Sequence, residues 1–88
     1  MIVLKRTKQQ FSGNQTLSSG ISNQVINFDT SFTDTNYAVT TGLTNEIDAE
    51  SYIYPMVVRT KTPDGFTVYF SDCMDSGNYV LEWIATAL

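Results

Sequence analysis

The chain has 88 residues with a net charge of −4, one cysteine and no histidine. That length holds one hydrophobic core, and the missing histidine removes the commonest general base and metal ligand, while a lone cysteine rules out an intramolecular disulfide. Cys73 has no histidine to activate it and reads as a packed or idle thiol.

Charge is unevenly placed. Three of the five basic residues, Lys5, Arg6 and Lys8, lie in the first eight positions, and from residue 9 onward two basic against nine acidic side chains leave −7. Such a body repels phosphate backbones, so no nucleic-acid partner is expected. Met1 leads into Ile2, Val3 and Leu4 before the basic cluster, the reverse of a secretory signal, and no apolar run approaches the ~20 residues of a membrane helix. A soluble chain with no membrane partner is expected.

In chain order, Ile2 to Thr7 reads as a first strand or an arm, within a 1–10 amino-terminal segment of a single domain spanning 1–88. Gln9 to Gly20 is polar, with room for one short strand. Val25 to Phe28 reads as the next strand, and Phe28 and Phe32 enter the core on either side of a bend at Asp29-Thr30-Ser31. Tyr37, Val39, Thr41 and Leu43 alternate with Ala38, Thr40, Gly42 and Thr44, the pattern of a strand with one apolar face. Asn45 to Pro55, with Glu46, Asp48 and Glu50, reads as an acidic loop or a single helical turn whose carboxylates are solvated with near-normal pKa values.

A hairpin follows, with Met56 to Thr62 and Phe66 to Ser71 joined across Pro63-Asp64-Gly65. Pro63 presets φ, and Gly65 is suited to positive φ in a short loop with a bulge. Phe66, Val68 and Phe70 face the core. Asp75 to Asn78 is a turn, and Tyr79 to Ala87 is the last strand, although Leu81, Ile84, Ala85 and Leu88 also fit helical spacing. These short β-rich runs predict an all-β, antiparallel β-sandwich as a single small domain.

Asp72 and Asp75 before Gly77 loosely suggest a calcium loop. The ligand register fails, with Trp83 standing where the bidentate Glu belongs, so no metal, cofactor or catalytic residue is expected. What remains is a binding surface: Tyr52, Tyr54 and Tyr69 beside amide and hydroxyl groups form a candidate ligand face. Ile2, Leu4, Lys5, Arg6 and Lys8 form a candidate partner-binding arm, the apolar pair supplying contact and the basic residues steering it toward an acidic subunit.

Three blocks carry a resemblance. Val25-Ile26-Asn27-Phe28 with Phe32 and Tyr37-Ala38-Val39 is similar to the front of H-type lectin domains and of small β-modules in bacteriophage tail fibres and related virion proteins. Arg59-Thr60-Lys61-Thr62, leading through Gly65 to Phe66-Thr67-Val68, resembles their central hairpin, and Asn78-Tyr79 with Trp83 and Ala85 resembles their last strand. The resemblance implies an H-type-lectin-like β-sandwich that assembles as a homotrimer and serves in adhesion or in a virion. The histidine used by some lectins of this type has no counterpart, so the likeness carries no sugar site.

The expected function is therefore that of a non-enzymatic virion protein, a capsid decoration or cement protein contacting the major capsid protein, located in the virion after assembly in the host cytoplasm. A receptor- or glycan-binding tail-fibre tip is the alternative. A start at Met1 and an 88-residue length favour the first, since a fibre tip needs a shaft in the same chain.

Overall fold

The computed structural model describes residues 9–88, and the expected strand or arm at Ile2 to Thr7 lies outside them. Six strands build two antiparallel sheets of three: β1 (Gln10–Thr16), β6 (Val80–Ala87) and β3 (Tyr37–Thr44) in one, β2 (Asn23–Asn27), β5 (Gly65–Phe70) and β4 (Met56–Thr62) in the other. The strands at the centre, β5 and β6, are the ones with the sharpest inside–outside alternation. Phe66, Val68 and Phe70 of β5 and Leu81, Trp83 and Ala85 of β6 are all buried, and the residues between them face outward. That two-residue period excludes the helical alternative for the last element.

The polar Gln9 to Gly20 stretch holds a full seven-residue strand, longer than its composition suggests. β1 is an edge strand whose ladder to β6 runs from Gln10 to Thr16, and only Phe11 on it is even half-buried. Hydrogen bonding to β6 holds it in place of apolar burial. Gly13, opposite Trp83, belongs to that fit: a Cβ there would come within 3.0 Å of the indole.

The core has two ends. Toward the β4–β5 hairpin, Phe11, Phe28, Phe32, Tyr37, Phe66 and Trp83 form an aromatic cluster, with Phe32 stacked on Tyr37 at 4.5 Å and Phe66 edge-on to Trp83 at 5.6 Å. The opposite end is closed by Leu17, Met74, Tyr54 and Tyr79, the two tyrosines meeting edge to face at 5.3 Å.

In the hairpin, the bulge falls between Arg59 and Thr62, and positive φ falls on Thr60 (57°), not on Gly65. A β-branched residue in that region is strained, and the bulge redirects Lys61 across to the other sheet, where its Nζ donates to the Tyr37 carbonyl at 2.8 Å. Gly65 is needed for space: a Cβ at that position would sit 2.0 Å from the Ile26 carbonyl oxygen on β2.

Gly65→Ala is therefore expected to separate β2 from β5 and cost about 2–3 kcal/mol, in the range for forced overpacking. Phe66→Ala, which empties the aromatic cluster, is expected to cost about 3–5 kcal/mol. Denaturant unfolding measures both, and an unchanged midpoint in Gly65→Ala would contradict the close approach of the two strands.

Candidate functional site

The segment between β3 and β4, residues 45–55, is one of the chain's passages from one sheet to the other. It contains bends and no helical turn. Asn45 starts it with an Asx-type turn, its Oδ1 accepting from the backbone N–H groups of Ile47 (3.2 Å) and Asp48 (3.1 Å). The Asp48 carboxylate then gathers three donors: Asn45 Nδ2 at 2.7 Å, Ser76 Oγ at 2.5 Å and Asn78 Nδ2 at 2.8 Å. Ser76 and Asn78 belong to the turn before β6, so Asp48 ties two segments about thirty residues apart.

These hydrogen bonds, Asn45 first and then Ser76 and Asn78, hold the Asp48 carboxyl below its ordinary pKa. This corrects the expectation that every carboxylate of the loop is merely solvated. The misjudgement has a physical origin, since the donors on Ser76 and Asn78 are remote in sequence.

Further along, the Tyr52 N–H donates to the Tyr79 hydroxyl at 2.9 Å. Tyr54 turns inward. Its hydroxyl donates to Asp75 Oδ1 at 3.0 Å and accepts from the Asp75 N–H at 3.1 Å. Desolvation is the main influence on the phenol, and its pKa is pushed up to about 12. A raised folded-state pKa means that this stabilisation is intact below the tyrosine's ordinary pKa near ~10 and declines as pH rises toward the folded value.

So anchored, the loop turns large apolar side chains to solvent. Ile47 is 76% exposed, Tyr52 66% and Ile53 95%. Tyr52, Ile53, Leu43 and Tyr79 help line a recess of about 230 Å³, and Met56 on its border also lines a second apolar recess with Val57 and Tyr69. Exposed apolar residues are ordinary when scattered. Here two are consecutive and a third lies on the same hydrogen-bonded loop.

Of the three tyrosines expected to form a ligand face, Tyr52 and Tyr69 are exposed and Tyr54 is buried with its hydroxyl occupied. Tyr54 is thus a structural residue. Tyr69 stands on β5 opposite Val57, with the Arg59 guanidinium 5.6 Å from its ring centre. Ile47 and Ile53 were missed in the sequence because an irregular loop has no period from which to tell inside from outside. The candidate arm residues Ile2, Leu4, Lys5, Arg6 and Lys8 lie outside the described residues.

Among the described residues no group of three or more acidic, cysteine or histidine side chains is placed to hold a metal ion. Asp75 is committed to Tyr54, and Asp72 accepts from the Cys73 N–H at 2.7 Å. Cys73 is exposed. A wider recess, about 490 Å³, lies elsewhere, on the outer face of the β1–β6–β3 sheet, with Ser12, Asn14, Thr40 and Glu82 in its lining. It is a broad, mostly apolar surface on which Ile84 is exposed and Glu82 is the one ionisable residue. Comparison of the chain with protein families, with characterised proteins and with solved structures finds no match.

The depressed Asp48 pKa makes a pH dependence. Its stabilisation is present above the ordinary carboxylate range near ~4 and is lost as pH falls through the lower folded value. In Asp48→Asn the fall of melting temperature on acidification is expected to be shallower than in wild type. Parallel acid profiles for the two chains would mean that Asp48 does not tie the loop to the Asp75–Asn78 turn.

Proposed function

We propose that this chain is a non-enzymatic structural protein of a bacteriophage virion, a capsid decoration or cement protein that braces contacts between larger subunits. The observation that carries the reading is the 45–55 loop, stapled by Asp48 and Tyr79 and exposing Ile47, Tyr52 and Ile53. Burial of an aliphatic or aromatic side chain of that size is worth about 1.5–3 kcal/mol, and a loop already ordered loses little entropy on docking. A protein contact is the use to which such a surface is suited.

The partner in this reading is the major capsid protein, and the chain acts as a homo-oligomer, with a trimer expected from the resemblance to H-type lectin and tail-fibre modules. The amino-terminal arm supplies a second contact, in which Ile2 and Leu4 are buried and Lys5, Arg6 and Lys8 face an acidic subunit. The chain's site of action is the virion, reached from the host cytoplasm.

A second reading, the glycan-binding tip, is favoured by one observation. The wide recess on the β1–β6–β3 face is lined by Ser12, Asn14 and Thr40, whose hydroxyl and amide groups are of the kind that hydrogen-bond sugar hydroxyls.

Labelled chain added to particles stripped of it measures attachment directly. Tyr52→Asp and Ile53→Asp are each expected to weaken attachment about thirtyfold, the equivalent of about 2 kcal/mol of lost apolar contact, with melting temperature unchanged. Full attachment by both variants would reject the loop as the contact. Binding to a glycan array that is lost in Asn14→Ala, with both loop variants still attaching fully to particles, would favour the glycan reading.

A further inference from the structure

Sheet edges are where β-proteins are open to added strands, and they are usually guarded by charge, proline, bulges or short length. β4 carries such guards: Pro55 precedes it, Arg59 and Lys61 lie on it, and it bulges at Thr60. β2 has only five residues. β3 runs for eight, Tyr-Ala-Val-Thr-Thr-Gly-Leu-Thr, with no charge, no proline and an unbroken register against β6.

The backbone bonds at its start show which groups face the open side. The Tyr37 N–H donates to the Thr35 carbonyl at 3.0 Å, and the Tyr37 carbonyl accepts from Lys61. Both point away from β6. On the far side of β6, the Ala87 N–H, opposite Tyr37, donates to Gln9 at 2.9 Å, which confirms that the Tyr37–Ala87 pair is of the non-bonded kind. With a period of two, Val39, Thr41 and Leu43 turn their N–H and C=O groups to the same open edge. Among the described residues these six groups have no partner. The side chains of Val39 and Leu43 are half-buried against the core, and Leu43 shares a recess with Met56, so a strand arriving here gains apolar contact as well as hydrogen bonds.

We propose that the free edge of β3 receives residues 2–8 of a second copy of the chain as an added strand. The inference rests on the docking role given above to the amino-terminal arm, but not on which particle the protein serves. Ile2-Val3-Leu4-Lys5-Arg6-Thr7-Lys8 has the length to cover Val39 to Leu43, and it places Ile2 and Leu4 on one face at the strand period. Its three positive charges meet a body of −7.

Charge also sets the direction and the source. Lys61 stands at the Tyr37 end of the edge, and Glu46, Asp48 and Glu50 follow Thr44 at the other. The basic half of the arm is drawn toward Thr44, giving a strand parallel to β3. The chain's own arm cannot arrive that way. It joins the fold at Gln10, which shares the register of Thr86 with Ala38, and so at the Tyr37 end of the sheet and not the Thr44 end.

Two full-length variants test this in combination. Ile2→Asp/Leu4→Asp spoils the arm and keeps the edge. Thr41→Pro keeps the arm and removes an edge N–H that β6 does not use. Light scattering is expected to give an oligomer for wild type, a single-chain mass for each variant, and a two-chain mass for their mixture. A single-chain mass for wild type at the same concentration, or a mixture that stays at single-chain mass, overturns the proposal.

Amide exchange provides a test that does not depend on Thr41→Pro folding. In wild type, the Val39, Thr41 and Leu43 amides are expected to exchange at least about tenfold more slowly than in Ile2→Asp/Leu4→Asp, with Ala38, Thr40 and Gly42 the same in both chains. Equal rates at Val39, Thr41 and Leu43 would overturn strand addition. If that arm variant nonetheless failed to attach to particles, the docking role of the arm would survive the loss of this proposal. Slow exchange that persists in wild type diluted to single chains would place the arm on its own sheet and overturn exchange between copies.

Discussion

A tyrosine ring buried in a small core has to find a partner for its hydroxyl, and in this protein that requirement ties the loops to the sandwich. Three of the five tyrosines, Tyr37, Tyr54 and Tyr79, are buried. Each sends its oxygen to a different connection. Tyr37 reaches from β3 into the hairpin of the opposite sheet, within 2.9 Å of the Thr62 carbonyl and 2.7 Å of the Gly65 carbonyl. Tyr54 binds the Asp75 turn, and Tyr79 accepts from the 45–55 loop. The two sheets share no backbone ladder, so these three hydroxyls, with the aromatic packing beneath them, are directional links that fix how loops sit on the core.

The same arrangement explains how an 88-residue chain can hold apolar side chains in water without folding them inward. A free loop containing Tyr52, Ile53 and Tyr54 would collapse onto the nearest apolar surface. Here Tyr54 occupies the core and Tyr79 takes the Tyr52 N–H, which leaves Ile53 outside. Asp48, with its donors on the neighbouring turn, closes the other half of the loop. Apolar area held in this way is preorganised, and an ordered surface loses less entropy on any docking than a flexible one.

Much of the scaffold is legible in the sequence because period-two alternation is strong where both neighbours of a strand are present. β5 is central and reads clearly, β6 reads as a strand against a competing helical spacing, and β3 reads clearly because most of its Tyr37 to Leu43 face is apolar. β1 does not, since it is held by its ladder and has almost no apolar burial to betray it. The role of Gly65 is likewise hidden: a turn glycine suggests a φ requirement, whereas the actual constraint is the Ile26 carbonyl on a strand nearly forty residues away. The candidate loop is half legible. Its length and acidity are plain, but the split of Tyr52 and Ile53 outward from Tyr54 inward is decided by Asp75 and Tyr79, which no local pattern announces.

The claim on which the account turns is that core tyrosine hydroxyls set the posture of the exposed loop. Amide hydrogen exchange in Tyr79→Phe measures it most directly, because that substitution keeps the ring in the core and removes only the oxygen that accepts from Tyr52. The Tyr52 amide is expected to exchange at least about tenfold faster than in wild type, with the amides of β5 and β6 unchanged. An unaltered Tyr52 rate, or a rise shared equally by the central strands, would contradict it.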